Sequence, residues 1–215
     1  MDELLKAAAI MLEAQQKAKE AKEAGDAFAK LPQQYKAYNT GLHELFPKGK
    51  PREIAEIVNF HSQGAAAAAV ASAWVPGAGG TAAVLASAGF IWSMYARIGS
   101  VINLPMSENV LKTLGSGVAT NLASSMVASV VMSTVFSFIP GIGNVGASVI
   151  MGGTCYGLTL ASGFVYLKLM TTLFNSGLDP TKMSEQELNN MAKKVANESD
   201  VKDVMNKAKE GYKNK

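Results

Sequence analysis

The chain has 215 residues with 20 Lys and Arg, 17 Asp and Glu and a single cysteine. Those numbers exclude an intramolecular disulfide and a cysteine-based metal site. The net charge of +3 averages two charged ends over an uncharged middle, and the lysines alternate with acids, so no basic block invites nucleic acid. Residues 1–56 hold nine bases and nine acids, residues 168–215 hold nine bases and seven acids, and only Arg97, Glu108 and Lys112 are charged in the 111 residues between.

In chain order, residues 2–30 predict a helix built from Ala, Glu, Lys and Gln, which are strong helix formers. Its large apolar residues cluster early, at Leu4, Leu5, Ile10, Met11 and Leu12. Pro32 ends it, and a segment punctuated by Gly41, Pro47, Gly49 and Pro51 reads as a linker. The opening Met-Asp-Glu-Leu-Leu-Lys lacks the basic and apolar regions of a secretory signal, so the N-terminus is expected in the cytoplasm. The triplet Asn197-Glu198-Ser199 then fits a glycosylation site by chance alone.

A helix follows from Arg52 through an alanine-rich run to Val75, where Pro76 stops it. Thr81 starts a return helix carrying Phe90, Trp92, Tyr95 and Arg97. Pro105 breaks the chain, and Ser107 caps a third helix with Glu108 in its first turn, where negative charge favours the helix dipole. This helix is expected to reach Ile139, and a fourth to run from about Val145 to Phe174. The connections carry matching tips, Pro76, Gly77 and Gly79 in the first and Pro140, Gly141 and Gly143 in the second, each preceded by an aromatic (Trp74, Phe138). Proline cannot continue a helix and glycine accepts positive φ, so both read as turns of an internal repeat. Beyond them Ser184-x-x-Glu187 matches a capping box, with Leu188, Met191, Ala192 and Val195 on one stripe. A short last helix holds Val201, Val204 and Met205, and the final lysine-rich residues are expected to fray.

The fold class is therefore all-α: two small-residue-rich helical hairpins, four helices expected to cross a membrane, and amphipathic or soluble flanking helices at both ends. Three regions result: 1–51 as polar helix and linker, 52–176 as the double-hairpin membrane domain, and 177–215 as a soluble helical tail. Thr113–Leu167 lacks Asp, Glu, Lys and Arg for 55 residues, giving 27 uncharged residues to Ile139 and 27 from Gly141, where a span needs ~20. The first hairpin is weaker, because Thr81–Ala96 offers only 16 such residues before Arg97.

Gly117, Asn121, Ser125, Ser129, Ser133 and Ser137 recur every four residues on the third helix, and Gly153, Gly157 and Ala161 on the fourth. Such ridges let backbones approach closely, in lipid or in a soluble bundle. Arg97, Lys112 and Lys168 are expected at the membrane interface on the side of the termini, which the positive-inside rule makes cytoplasmic. Arg97 has Glu108 as an alternative partner, and Asn121 is expected to lock a helix pair.

No chemistry emerges. There is no phosphate-binding loop, so no cofactor, metal or catalytic residue is assigned and the chain is not expected to be an enzyme. His61 is read as an interfacial, structural histidine, with Glu56 or Glu53 as partners it could reach and no metal-ligand spacing met. Cys155 is read as a small packing residue.

Three stretches carry a resemblance: Ala67 to Thr81, Ile98-Gly99 with Leu104 to Glu108, and Phe138 to Gly146. Through them residues 60–175 resemble a helical domain of unknown function found after Era-like GTPase domains and in YcjF-type membrane proteins. The resemblance implies membrane association and a GTPase partner acting in trans. No catalytic residues carry over.

Three readings stay open. The leading one is a non-enzymatic integral membrane protein whose hairpins anchor a cytoplasmic helical face for a partner. The second is a pore-forming or membrane-inserting effector, similar in outline to colicin pore domains, whose uncharged hairpins are sheltered until insertion. Against it, the flanking helices are short of large apolar residues, with Leu4, Leu5, Ile10, Met11, Leu12, Leu188, Met191 and Val195 nearly the whole supply. The third is a channel or transporter subunit acting as a homo-oligomer. Lipid is the expected partner in all three.

Overall fold

The computed structural model describes residues 50–72, 79–104, 106–124 and 143–213. Within them the fold is all-helical: α1 Lys50–Ser72, α2 Gly79–Val101, α3 Glu108–Ser124, α4 Gly143–Asn175, a 3-10 turn Pro180–Lys182, α5 Glu185–Ala196 and α6 Ser199–Lys213. The expected N-terminal helix, Trp74, Phe138 and the far half of the third helix lie outside the described residues.

Each boundary has a local cause. Pro51 stands in the first turn of α1, where a missing N–H costs no hydrogen bond. The end of α2 is closed by Asn103 at φ 54, an angle Asn tolerates better than most residues, and Leu104 N–H donates to Gly99 O at 2.7 Å. A Cβ on Gly99 would lie 2.9 Å from that same Leu104 carbonyl, so the turn requires glycine there. Ser107 Oγ then accepts from Val110 N–H at 3.3 Å and caps α3. The end of α4 is a Schellman motif: Gly177 has φ 69, its N–H donates to Phe174 O, and Leu178 N–H donates to Leu173 O. The Ser184 and Glu187 capping box forms as the sequence predicts.

α4 is the central helix. It packs chiefly against α1 and α6 and also against α2, while α3 bridges α2 to α5. One continuous core joins Ile54 and Val58 of α1, Met94 and Tyr95 of α2, Leu114 of α3, Val165 and Met170 of α4, Leu188 of α5, and Val204 and Met205 of α6. From the soluble helical tail expected over 177–215, Leu188, Val195, Val201, Val204 and Met205 join this core. α6 is longer than the short helix expected and continues through Lys213.

Among the described residues only Ser148–Asn175 is long and apolar enough to cross a membrane, and 89% of its most apolar window is buried inside the protein. The flanking helices cover it despite their modest apolar content. Small side chains on α4 bring its neighbours in close, so Val201, Ala208 and the partly buried Tyr212 suffice where larger residues would otherwise be needed. A fully apolar surface of this kind marks either a buried core helix or a span.

Candidate functional site

The feature that distinguishes α4 is its glycine face and what fills it. A Cβ on Gly157 would lie 2.8 Å from Met205 O of α6, one on Gly153 would lie 3.4 Å from Lys209 O, and one on Gly152 would lie 2.8 Å from the Tyr212 hydroxyl. Toward α1, a Cβ on Gly152 would also lie 2.9 Å from Val70, and one on Gly163 would meet Val58 at 2.9 Å. Each glycine costs helix stability of about 1 kcal/mol relative to alanine, and close seating of α1 and α6 offsets that loss. The ridge residues Gly153 and Gly157 thus receive the amphipathic C-terminal helix, and Ala161 lies buried in the core.

Gly117 of α3 is likewise filled by a C-terminal helix, since its Cβ would lie against Asn189 Oδ1 of α5. Asn121 lines the α3/α5 groove with Thr113, Ser116, Asn189, Lys112 and Lys193 around about 680 Å³. Ser125, Ser129, Ser133 and Ser137 lie outside the described residues. So do Pro76, Gly77, Pro140 and Gly141, while Gly79 and Gly143 open α2 and α4.

The three expected interface cations have protein partners. Lys168, the only charged residue of α4, places Nζ 2.5 Å from Asp200 Oδ2 and 2.6 Å from Glu198 Oε2. This pins the start of α6 to α4, just beyond the glycine face. Lys112 pairs with Glu108 at 2.6 Å and stands 5.2 Å from the centre of the Trp92 ring. Glu108 is therefore not the partner of Arg97. Arg97 instead covers the ring of Phe60, which is 63% exposed, with Cζ 5.4 Å from its centroid.

His61 also departs from expectation. It turns inward, 2% exposed, and its ring nitrogens meet Ile57 O at 2.7 Å and Ser93 Oγ at 2.9 Å rather than Glu53 or Glu56. The helix solves its polarity internally, by bonding to its own preceding turn and to α2.

Two features were not legible beforehand. The Tyr95 and Tyr166 rings stack at 4.4 Å between centroids, and the Tyr95 hydroxyl donates to Ser162 O at 3.0 Å, fixing α2 on α4. The seating of α6 on α4 was the other. Its only trace in sequence is the match between the small residues of α4 and the Val201, Val204, Met205 and Ala208 stripe. A second cleft of about 500 Å³ lies at the α2–α3 turn, lined by Tyr95, Gly99, Asn103, Leu104 and Met106.

The hydroxyls of Thr154 and Thr159 on α4 and Ser62 on α1 are buried without a hydrogen bond, each a cost of about 1–3 kcal/mol when water is withdrawn. The arrangement is an apolar helix covered by its neighbours and fastened at one end by a cation between two carboxylates. No family model matches the chain, and no curated protein or solved structure is similar to it.

Proposed function

We propose that this protein is a non-enzymatic, membrane-inserting helical protein whose apolar hairpin helix is kept sheltered by its own flanking helices. The observation that carries the reading is the combination found in α4. Ser148–Asn175 has the length and apolarity of a span, yet 89% of its most apolar window is covered by the protein itself. A span requires ~20 apolar residues, and this 28-residue stretch exceeds that length. Its cover on one side is α6, an amphipathic helix with Lys202, Asp203, Asn206 and Lys207 exposed. Such a helix can leave a glycine face and lie on a bilayer surface without burying charge.

The objection that the flanks lack apolar residues is weakened by the close approach at Gly153 and Gly157. Insertion of the second hairpin, with the first following or lying at the interface, is the finer form of the reading. Arg97 over the exposed Phe60 ring gives α1 and α2 an outward pair suited to lipid headgroups.

Alkaline carbonate extraction of membranes from cells expressing the full chain at low level tests the proposal. Release as a discrete monomer, followed by carbonate-resistant uptake into anionic vesicles, is the expected result. Retention in the pellet from the outset refutes sheltering and favours a constitutive anchor.

A further inference from the structure

We propose that His61 is an acid-sensitive switch in the seam between α1, α2 and α4, and that a second proton on its ring opens the shelter around α4. The inference rests on the sheltered-helix reading and adds its trigger.

The geometry assigns the ring's resting state. Ile57 O can only accept, so Nδ1 at 2.7 Å carries the proton,. Nε2 then accepts from the Ser93 hydroxyl of α2 at 2.9 Å. The neutral ring is thus fully bonded and ties α1 to α2. A second proton on Nε2 turns the acceptor into a donor, so the Ser93 hydroxyl hydrogen must turn aside and its oxygen accept instead, and it places a charge where the residue is 2% exposed.

Position gives this charge leverage. One turn before His61, Val58 packs on Gly163 of α4, and one turn after it Gly64 lies beneath the Phe90 ring of α2. These are the close approaches by which α1 holds both neighbours. Any shift of α1 that hydrates the ring loosens them together.

The surrounding charges do not stabilise the protonated form. On α1 the nearest ionisable residues are Arg52, Glu53 and Glu56 near its start, the two glutamates exposed. From α2 the positive Arg97 acts on the ring, and Tyr95 is turned toward Ser162 of α4. From α4 the one charge is Lys168, occupied by Glu198 and Asp200. Burial, the largest influence, depresses the ring's pKa below 6.5, the Ile57 carbonyl opposes this, and Arg97 adds to it.

The sign follows from linkage. The unfolded chain binds the proton more readily than the folded one. The stability His61 contributes is therefore complete above the unfolded value of 6.5 and declines as pH falls below it toward the folded pKa.

The test uses the full chain. Urea denaturation at about pH 7.5 and about pH 5 brackets histidine titration. A lower midpoint at the acidic pH is expected, abolished in His61→Gln and retained in His43→Gln. An unchanged midpoint, or a drop that survives His61→Gln, overturns the switch. Should His61→Gln fail to fold, NMR titration of the imidazole in His43→Gln decides. A ring pKa below 6.5 supports the switch and one at or above 6.5 refutes it. Uptake by vesicles of phosphatidylglycerol and phosphatidylcholine is measured separately at both pH values. Acid-dependent uptake supports the trigger, while an acid-dependent midpoint with no uptake at either pH retains the switch and overturns the membrane reading.

Discussion

Replacing Gly157 by alanine tests the seating of α6 most directly, because the same helix supplies its control. Alanine for glycine within a helix is worth up to about 1 kcal/mol from backbone entropy, wherever the methyl group fits. At Gly153 it fits, since its nearest neighbours would be Lys209 O and Tyr212 Cδ1 at 3.4 Å. Gly153→Ala is therefore expected to stabilise. At Gly157 the methyl would stand 2.8 Å from Met205 O, with Lys209 N and Cβ at 3.4 Å. A backbone carbonyl cannot swing aside as a side chain does, so α6 itself must move. Overpacking of that kind costs about 1–3 kcal/mol, which cancels or exceeds the entropic gain. The two variants should differ by that amount, or roughly 2–12 °C in Tm at about 2–4 °C per kcal/mol for a chain of this size. Circular dichroism during thermal and urea denaturation reads the difference, and limited proteolysis within α6 shows where it arises. If Gly157→Ala proves as stable as Gly153→Ala, α6 is not seated on this face and the sheltering argument fails with it.

Lys168→Met should free the start of α6 at a cost of about 1 kcal/mol or less, because the carboxylates it pairs with are largely solvated. Faster amide exchange in residues 199–205 would show this, and a double-mutant cycle with Asp200→Asn giving no coupling would refute it. Ser184→Ala removes the cap of α5 and should cost about 1 kcal/mol, read from the urea midpoint. Hydrogen bonds from the Ser184 hydroxyl and N–H hold the Glu187 carboxyl below its usual 4.5. That contribution is present above 4.5 and lost as pH falls through the folded pKa, so acid denaturation of Ser184→Ala should lack the larger, hydroxyl-dependent part of it while the backbone N–H part remains,. Tyr95→Phe leaves the stack on Tyr166 but removes the hydrogen bond to the Ser162 carbonyl, and about 1 kcal/mol should be lost in the same assay.

Much of the local structure is legible in the sequence because it depends on near neighbours. Ser184 and Glu187 form their capping box since both partners lie within one turn. The starts of α2 and α4 at Gly79 and Gly143, and of α3 just after Ser107, follow from proline, glycine and a hydroxyl placed next to the helices they delimit. The absence of charge between Lys112 and Lys168 likewise identifies α4 as a helix that water does not reach.

What covers such a helix is a different kind of question. Gly153 and Gly157 make a smooth face that suits another span in lipid or an amphipathic helix in water equally well, because a missing side chain specifies closeness and not a partner. Only the three-dimensional packing assigns that face to Met205, Lys209 and Tyr212. It also gives Lys168 to Asp200 and Glu198, 32 and 30 residues away, and turns His61 inward to Ser93. Charge and periodicity along the chain determined which helix had to be hidden. Long-range packing, through side chains whose partners are far away in sequence, decided that its own C-terminal helices hide it.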